Sequence, residues 1–256
     1  MAPTDSASPE LSPELSVVVP VKNEAENLAP LIDEIGASLS GAGIDHEIVY
    51  VDDGSTDETP KLLAGLKAQV PALRVVRLGP GCGQSTAIVA GVRHARAPVV
   101  ATLDGDGQND PADIPALLAR YKEEAAAGPV LIAGHRTTRR DNWLRRVSSK
   151  IANGVRGWLL KDDTPDTACG FKVFGHDDFL GFPAFDHMHR FLPALMIRAG
   201  GRAVSVPVNH RPRERGTSKY GVWNRLWVGI VDMFGVMWLA RRPVRPKIIP
   251  TEPDPE

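Results

Sequence analysis

The chain contains 256 residues, of which 43% are hydrophobic and 24% are charged, a composition typical of a globular protein with a substantial core. Its 30 Lys and Arg residues nearly balance 31 Asp and Glu residues, for a net charge of −1. That balance argues against a general nucleic-acid binder, because no overall positive field would attract a phosphate backbone. Two cysteines are too few for a disulfide scaffold, and no apolar run reaches the roughly 18 residues of a membrane span.

Both ends of the chain are rich in proline and lack a hydrophobic period. This composition predicts a disordered N-terminal tail over residues 1–14 and a disordered C-terminal tail over residues 243–256. Residues 15–242 are predicted to form one domain. Residues 1–14 contain no apolar stretch of the kind found in signal peptides, so we expect a cytoplasmic protein.

Strands and helices alternate in the first half of the chain. Apolar runs rich in β-branched residues predict strands over Ser16–Val21, Glu47–Asp52, Arg74–Leu78, Val99–Leu103 and Val130–Ala133. Helical patterns between them predict helices over Glu24–Leu39, Glu58–Leu66, Gln84–Ala95 and Ala112–Glu124. The alternation predicts an α/β fold with a mostly parallel sheet between helices. Ligands of such sheets bind at the carboxyl ends of the strands.

The second half is less regular. Basic residues are concentrated in Arg136–Lys150. Further patterns predict helices over Trp143–Leu160 and Met188–Ala199 and strands over Gly170–Phe174 and Ala203–Val208. The last predicted element is an amphipathic helix over residues 221–240, whose bulky apolar residues form one helical stripe.

Two adjacent aspartates, Asp52 and Asp53, follow the second predicted strand. Paired carboxylates are costly to bury and repel each other. They indicate either a site that binds a cation or hydrogen-bond donors, or an Asp-Gly turn in which Ser55 or Thr56 caps the next helix.

A second acidic segment follows the fourth predicted strand. Asp104 and Asp106 can direct oxygens at one point, and Gln108 adds a neutral oxygen. Such oxygens are typical ligands of a Mg²⁺ or Mn²⁺ ion that also binds the phosphates of a substrate. A solvated acidic turn would have the same composition. Asp110 before Pro111 suits the N-cap of the next helix.

A basic segment, Arg211–Tyr220, carries four cations together with glycine and two hydroxyls. Arginine side chains and backbone amides bind phosphate oxygens well. An isolated basic run is more commonly a charged surface loop, so this segment gains a functional interpretation only beside a phosphate site.

Four motifs, taken together and in this order, resemble family 2 glycosyltransferases. They are Pro20–Glu24, Val51–Asp57, Asp104–Pro111 and the Arg-x-x-Gly-x-Ser-Lys pattern at Arg213–Lys219. The sequence is most similar to the branch of dolichol-phosphate mannose synthases and bacterial polyprenyl-phosphate glycosyltransferases. The resemblance covers Leu15–Ala240 and implies a GT-A fold, a nucleotide-sugar donor, a divalent cation (Mg²⁺ or Mn²⁺) and a polyprenyl phosphate acceptor.

The resemblance also implies roles for single residues. The positions that bind the donor in the family are Pro20, Lys22, Glu24, Asp53, Asp104, Arg136 and Ser218. Those that hold the metal are Asp104, Asp106 and Gln108, and those that act in catalysis are Asp104, Asp106, Arg213 and Lys219. Positions similar to the acceptor site are Arg145, Ser149 and Arg190.

A monophosphate acceptor, with a second pKa near ~6, is largely dianionic at neutral pH and needs positioning rather than a strong base. The basic stretch Arg136–Lys150 meets that need, so we predict inverting transfer to the phosphate of a polyprenol. The product would be a lipid-linked sugar for envelope glycan or lipid A modification.

The last helix also predicts where the protein works. Tryptophans within it and basic residues after it predict peripheral contact with the inner face of the cell membrane, alone or with a membrane protein partner. An ordinary packed helix has the same pattern. The sequence predicts no nucleic-acid partner and does not determine the oligomeric state.

Other functions fit parts of the sequence. A glycosyltransferase with a sugar-hydroxyl acceptor would need a general base, and a non-catalytic sugar or lipid-phosphate binding module would not need Asp104 and Asp106. A nucleotidyltransferase would carry a glycine-rich, lysine-bearing loop where Pro20–Glu24 stands, and a dehydrogenase a Gly-x-Gly-x-x-Gly motif after a strand. The donor stays open among GDP-mannose, UDP-glucose, UDP-galacturonate and modified arabinose donors.

Overall fold

The computed structural model describes residues 12–136, 157, 164–212 and 222–242. Apart from residue 157, the predicted helix Trp143–Leu160 lies outside these residues. So do residues 1–11 of the predicted N-terminal tail and all of the predicted C-terminal tail.

The described residues form one seven-stranded sheet with the order β3-β2-β1-β4-β6-β5-β7. Its strands are β1 (Leu15–Val21), β2 (His46–Asp52), β3 (Leu73–Arg77), β4 (Val99–Thr102), β5 (Val130–Arg136), β6 (Lys172–Gly175) and β7 (Arg202–Val208). All neighbouring pairs are parallel except that β6 runs antiparallel to both β4 and β5. The prediction of a mostly parallel α/β sheet is confirmed.

Seven α-helices accompany the sheet in the described part of the chain. They are α1 (Leu28–Gly41), α2 (Thr59–Gln69), α3 (Gly83–His94), α4 (Ile114–Ala125), α5 (His176–Leu180), α6 (Leu192–Arg198) and α7 (Val222–Ala240). Short 3-10 turns precede three of them, at Ala25–Asn27, Pro111–Asp113 and Met188–Arg190.

Three helix predictions, over Glu24–Leu39, Ala112–Glu124 and Met188–Ala199, are wrong in detail, because each segment begins in a 3-10 turn. The segment predicted as a continuous helix over Met188–Ala199 is a 3-10 turn followed by α6. Phe191 between them has φ −113° and ψ 7°, which is outside the α-helical range. Pro193 then occupies the first turn of α6, where a proline is tolerated because its missing N–H would have had no helical partner.

Alternating side chains of β1 explain why both faces of the sheet are covered. Val17 and Val19 lie in the core shared with α1, α2 and α4, whereas Val18 lies in the core shared with α3 and α6. Successive strand side chains point to opposite faces, so a strand buried on both faces needs a continuous apolar run.

The last helix, α7, buries one apolar side chain and exposes three others in its described part. Val236 is buried against Phe191 and the neighbouring α6, while Val231, Phe234 and Trp238 are 66%, 61% and 57% exposed. In the described ranges no helix is both long and apolar enough to cross a membrane. Contact of this helix with a membrane surface stays a prediction.

Candidate active site

A cleft of about 850 Å³ opens beyond the carboxyl ends of β1, β2 and β4. These strands are neighbours in the sheet, so the segments that follow them converge. Nine of the predicted site residues line this one cleft: Pro20, Lys22, Glu24, Asp53, Asp104, Asp106, Gln108, Arg136 and Arg190. The other five lie outside the described residues: Arg145, Ser149, Arg213, Ser218 and Lys219. The structure thus brings nine candidates together, and the role of each stays a prediction.

The two adjacent aspartates after β2 have different surroundings. Asp52 is fully buried; one carboxylate oxygen accepts the backbone N–H of Ser55 at 2.9 Å, and the other lies 3.5 Å from Arg77 Nε. Asp52 therefore stabilises the turn and does not line the cleft. Neither Ser55 nor Thr56 is the N-cap of α2, so this part of the alternative interpretation, in which the segment is only a turn before a helix, is wrong.

Asp53 instead lines the cleft and holds the start of α3. Its Oδ1 accepts the backbone N–H groups of Cys82 at 3.0 Å and Gly83 at 3.1 Å, and its Oδ2 lies 3.3 Å from Lys22 Nζ. A carboxylate at a helix N-terminus is stabilised by the unpaired amides and the helix dipole. Asp53 thus ties the glycine-rich segment before α3 to the edge of the cleft.

Asp104 is the partly buried carboxylate at the centre of the acidic segment. Its backbone N–H donates to Asn109 Oδ1 at 3.0 Å, and its Oδ1 accepts from Gln84 Nε2 at 2.9 Å. Removal from solvent, and then the like charge of Asp106, raise the pKa of Asp104 to about 6. The fold holds two carboxylates close together in spite of their repulsion.

This donor set fits a divalent cation. Asp104 and Asp106 supply carboxylate oxygens and Gln108 an amide oxygen, all in one turn of the chain that lines the cleft, and hard cations prefer such oxygens. Within the described residues, no group of three or more His, Cys, Asp or Glu is placed to hold a metal ion.

Gly170 leaves the space that Asp104 occupies. A Cβ at position 170 would lie 2.4 Å from the Asp104 carboxylate, and the Gly170 carbonyl accepts a hydrogen bond from Thr102 Oγ1 at 2.8 Å. Backbone and carboxylate approach so closely that no larger residue fits without displacing one of them. Sequence reasoning assigned no role to Gly170, because an isolated glycine in a predicted strand has many explanations.

Arg136 is oriented by a partner that the sequence analysis missed. Asp166 receives hydrogen bonds from Arg136 Nε at 2.6 Å and Nη2 at 2.8 Å, a bidentate geometry that fixes the guanidinium plane. These bonds use two of its five N–H donors. Hydrogen bonding to Asp166 outweighs burial and raises the pKa of Arg136, so its charge is permanent in the cleft.

Lys172 is a second cation that the sequence analysis missed. It lies on β6, is only 3% exposed and lines the cleft, and its Nζ donates to the carbonyl of Cys169. Burial lowers the pKa of Lys172, while the negative groups nearby, including Asp104, oppose that shift. The signal was a lysine inside an otherwise apolar strand, since buried lysines normally need an anionic partner or ligand.

Arg211, the first residue of the basic segment, has a structural role. Arg211 pairs with Glu34 at 2.6 Å and with Asp110 at 2.7 Å, and its backbone N–H donates to the carbonyl of Gln108 at 2.9 Å. Arg211 therefore supports the acidic segment and does not line the cleft. Asp110 accepts the N–H of Ala112 at 3.1 Å, which confirms its prediction as an N-cap.

Comparison with solved structures shows the same fold elsewhere. A mannosyltransferase from Pyrobaculum calidifontis in complex with GDP-Man and Mn²⁺ superimposes with a TM-score of 0.62 at 25% sequence identity, over 96% of this chain and 69% of that one. Glucosyl-3-phosphoglycerate synthase from Mycobacterium tuberculosis, in complex with Mg²⁺ and uridine diphosphate, has a TM-score of 0.63 at 17% identity, over 89% of this chain and 79% of that one. The predicted GT-A fold is confirmed.

Two relatives carry more specific names. Dodecaprenyl-phosphate galacturonate synthase from Rhizobium johnstonii is 35% identical over 245 residues, which are 93% of this chain and 70% of the relative. Undecaprenyl-phosphate 4-deoxy-4-formamido-L-arabinose transferase from Edwardsiella ictaluri is 35% identical over 210 residues, covering 81% and 63%. The family model "Glycosyl transferase family 2" matches residues 16–179. Together with the converging acidic and basic residues of the cleft, these matches show that the chain is a glycosyltransferase and belongs to family 2.

Proposed function

We propose that this glycosyltransferase moves a sugar from a nucleotide-sugar donor to a polyprenyl phosphate with inversion of the anomeric configuration. The observation that carries the proposal is the cleft, where Asp104 and Asp106 stand beside the cations Arg136 and Lys172. The relatives named as dodecaprenyl-phosphate and undecaprenyl-phosphate sugar transferases support the choice of acceptor. The product would be a lipid-linked sugar for envelope glycan or lipid A modification.

Each side of the cleft has a task in donor binding. In this proposal Lys22 and Asp53, which are in contact with each other, bind the nucleoside. Arg136, which Asp166 orients, binds phosphate oxygens. A divalent cation held by Asp104, Asp106 and Gln108 would neutralise the charge that develops on the leaving diphosphate.

The acceptor phosphate needs positioning and no strong base. One of its oxygens forms a bond to the anomeric carbon while the bond from that carbon to the diphosphate oxygen breaks, and the electron pair leaves with the diphosphate. Arg190 borders the cleft and supplies a cation on the acceptor side, with Arg145 and Ser149 as further candidates. A phosphate that is largely dianionic at neutral pH has no proton to lose in this step.

A lipid acceptor requires access to a membrane, and α7 offers a surface for it. Val231, Phe234 and Trp238 are exposed along one side of the helix, and Arg241 and Arg242 follow its last turn. Apolar side chains next to cations suit the interface of an anionic bilayer. We place the protein peripherally on the inner face of the cell membrane.

The test is a donor panel with undecaprenyl phosphate and Mn²⁺ or Mg²⁺, with lipid-linked products identified by mass spectrometry. We expect one nucleotide-sugar to give a phosphodiester-linked product of inverted configuration. Asp104→Asn should reduce turnover by at least about a hundredfold, whereas Asp33→Asn, at an exposed position of α1, should not. A product of retained configuration, or transfer only to a sugar hydroxyl, would contradict the proposal.

A further inference from the structure

The first turn of α3 holds a histidine at the cleft. Ser85 is 2% exposed, its Oγ lies 2.7 Å from His189 Nδ1, and the same oxygen accepts the backbone N–H of His189 at 3.4 Å. His189 lines the cleft and Ser85 does not. The Nδ1 edge of the imidazole is therefore fixed against α3, and the opposite edge, with Nε2, is left for the cleft.

These contacts are matched by one of the two neutral forms of the imidazole. A serine hydroxyl has one proton to donate, and His189 Nδ1, 2.7 Å away, is within reach to accept it. When Nδ1 accepts, a neutral imidazole carries its own proton on Nε2. Within residues 12–136, 157, 164–212 and 222–242, no contact of Nε2 is found that would use this proton.

The surroundings also keep the ring neutral. Burial, followed by the positive charges of Lys172 and Arg190 and then by His187, lowers the pKa of His189 to about 3. A pKa lowered in the folded protein means that His189 protonates only well below the physiological range. His189 is therefore suited to donate a hydrogen bond as a neutral group, and not to act as a cation.

The position of the ring indicates which part of a substrate it meets. Gln84, the neighbour of Ser85, donates to Asp104 Oδ1 at 2.9 Å, so the first turn of α3 contacts both Asp104 and His189. The sugar of the donor is bonded directly to the diphosphate, so with the diphosphate at Asp104 the sugar would lie in the same cleft as His189. Phosphate oxygens are matched by the cations Arg136 and Lys172, whereas a neutral N–H suits the uncharged oxygens of a sugar.

We propose that His189 is a specificity-determining residue that donates a hydrogen bond from Nε2 to an oxygen of the transferred sugar, and that Ser85 is the positioning residue that orients the ring. This inference rests on the proposed function. It assigns to the pair Ser85–His189 the recognition of the sugar, as distinct from the nucleotide or the acceptor phosphate.

The first experiment needs no substrate. Nitrogen-15 NMR of histidine-labelled protein should show His189 as the Nε2–H tautomer, without titration between pH 5 and pH 8. Ser85→Ala should allow both neutral tautomers, because Nδ1 loses its fixed donor. A wild-type Nδ1–H tautomer, or a His189 that protonates near pH 6.5, would overturn the proposal.

The second experiment separates sugar from nucleotide. Binding of UDP-galacturonate against UDP, and of GDP-mannose against GDP, is measured by calorimetry with Mn²⁺. His189→Leu should weaken the preferred sugar nucleotide about tenfold and leave its nucleoside diphosphate unchanged. His189→Gln should recover most of the loss, because its amide nitrogen can take the place of Nε2.

The outcomes distinguish the two proposals. In one outcome, His189→Leu weakens the binding of the sugar nucleotide and of the nucleoside diphosphate equally; in another, it raises only the KM for undecaprenyl phosphate. Either result would overturn the role in sugar recognition and leave the proposed function standing. A wild-type protein that binds none of the four ligands would contradict the proposed function and, with it, this role of His189.

Discussion

Glu47 shows how a single buried charge is stabilised. It is 1% exposed and accepts hydrogen bonds from Ser16 Oγ at 2.6 Å, from Arg96 N at 2.6 Å and Nε at 2.9 Å, and from Arg74 Nη1 at 3.2 Å. Burial alone would raise the pKa of Glu47, but these donors outweigh it and the pKa is lowered. The hydrogen bonds of Glu47 join β1, β2 and β3 near the amino ends of these strands, at the end of the sheet opposite the cleft.

A substitution of Glu47 should therefore cost stability without touching the site. Glu47→Gln is expected to lower the free energy of unfolding by about 3 kcal/mol at pH 7. Because the folded pKa is depressed, this contribution is present above the unfolded value of 4.5 and is lost as pH falls through the folded value. Urea unfolding should show a smaller difference in the free energy of unfolding between wild type and Glu47→Gln at pH 4 than at pH 7. The exposed Glu123→Gln should change stability by less than about 0.5 kcal/mol, and an equal loss there would refute the interpretation.

Gly170 offers a second test at one residue. Gly170→Ala places a methyl group where the Asp104 carboxylate lies, so we expect Asp104 to be displaced and turnover to fall at least about tenfold. Gly65→Ala is the matched control, since a Cβ there meets nothing within 4 Å. Steady-state kinetics and circular dichroism would check both variants. Unchanged turnover in Gly170→Ala would show that the position of Asp104 is not critical.

Among the elements, α3 connects most of the cleft. Asp53 holds its first amides, Gln84 contacts Asp104, and Ser85 holds His189. A shift of this helix would move groups from three other segments at once. The glycine-rich turn before α3, Gly79–Gly83, belongs to the same region, because Asp53 accepts the backbone N–H groups of Cys82 and Gly83.

The last helix, α7, carries the prediction about membranes. The double variant Phe234→Glu and Trp238→Glu changes only exposed side chains, so the fold should persist. We expect it to reduce co-flotation with phosphatidylglycerol vesicles severalfold relative to wild type. Leu62→Glu, also on an exposed helix position, is the matched control. Equal flotation of all three proteins would contradict peripheral binding through α7.

At the scale of the whole molecule, a bound cation should stabilise the fold. The like charge of Asp106 raises the pKa of Asp104, so a cation bound between them would offset their repulsion. Any ligand that binds only the folded state raises its stability. We expect Mn²⁺ at about 100 times its Kd to add about 2.7 kcal/mol, seen as a higher Tm by calorimetry. EDTA should reverse the rise and abolish turnover. The double variant Asp104→Asn and Asp106→Asn should show no rise; a rise in this variant would place the metal elsewhere.

Much of this molecule could be predicted from its sequence, for identifiable reasons. Strands such as β1 are buried on both faces and read as continuous apolar runs, and Asp104 and Asp53 follow such strands directly. Asp166 and Lys172 could not be predicted in the same way. Asp166 pairs with a residue 30 positions away, and Lys172 lies on β6, whose antiparallel place between β4 and β5 is a matter of tertiary topology.

The order of the strands also bears on how the chain comes to fold. β6 is among the later strands in sequence, yet it sits between β4 and β5 and supplies the hydrogen bonds on one side of each. While a ribosome is still making residues 137–171, β4 has an unpaired edge, which is the kind of edge that other chains can pair with. Closing the sheet then requires contacts between residues about 70 positions apart, such as Lys172 with Thr102, and such distant pairings slow folding. Completion of the nascent sheet, and of the cleft that Lys172 lines, therefore waits for a strand made after both of its neighbours.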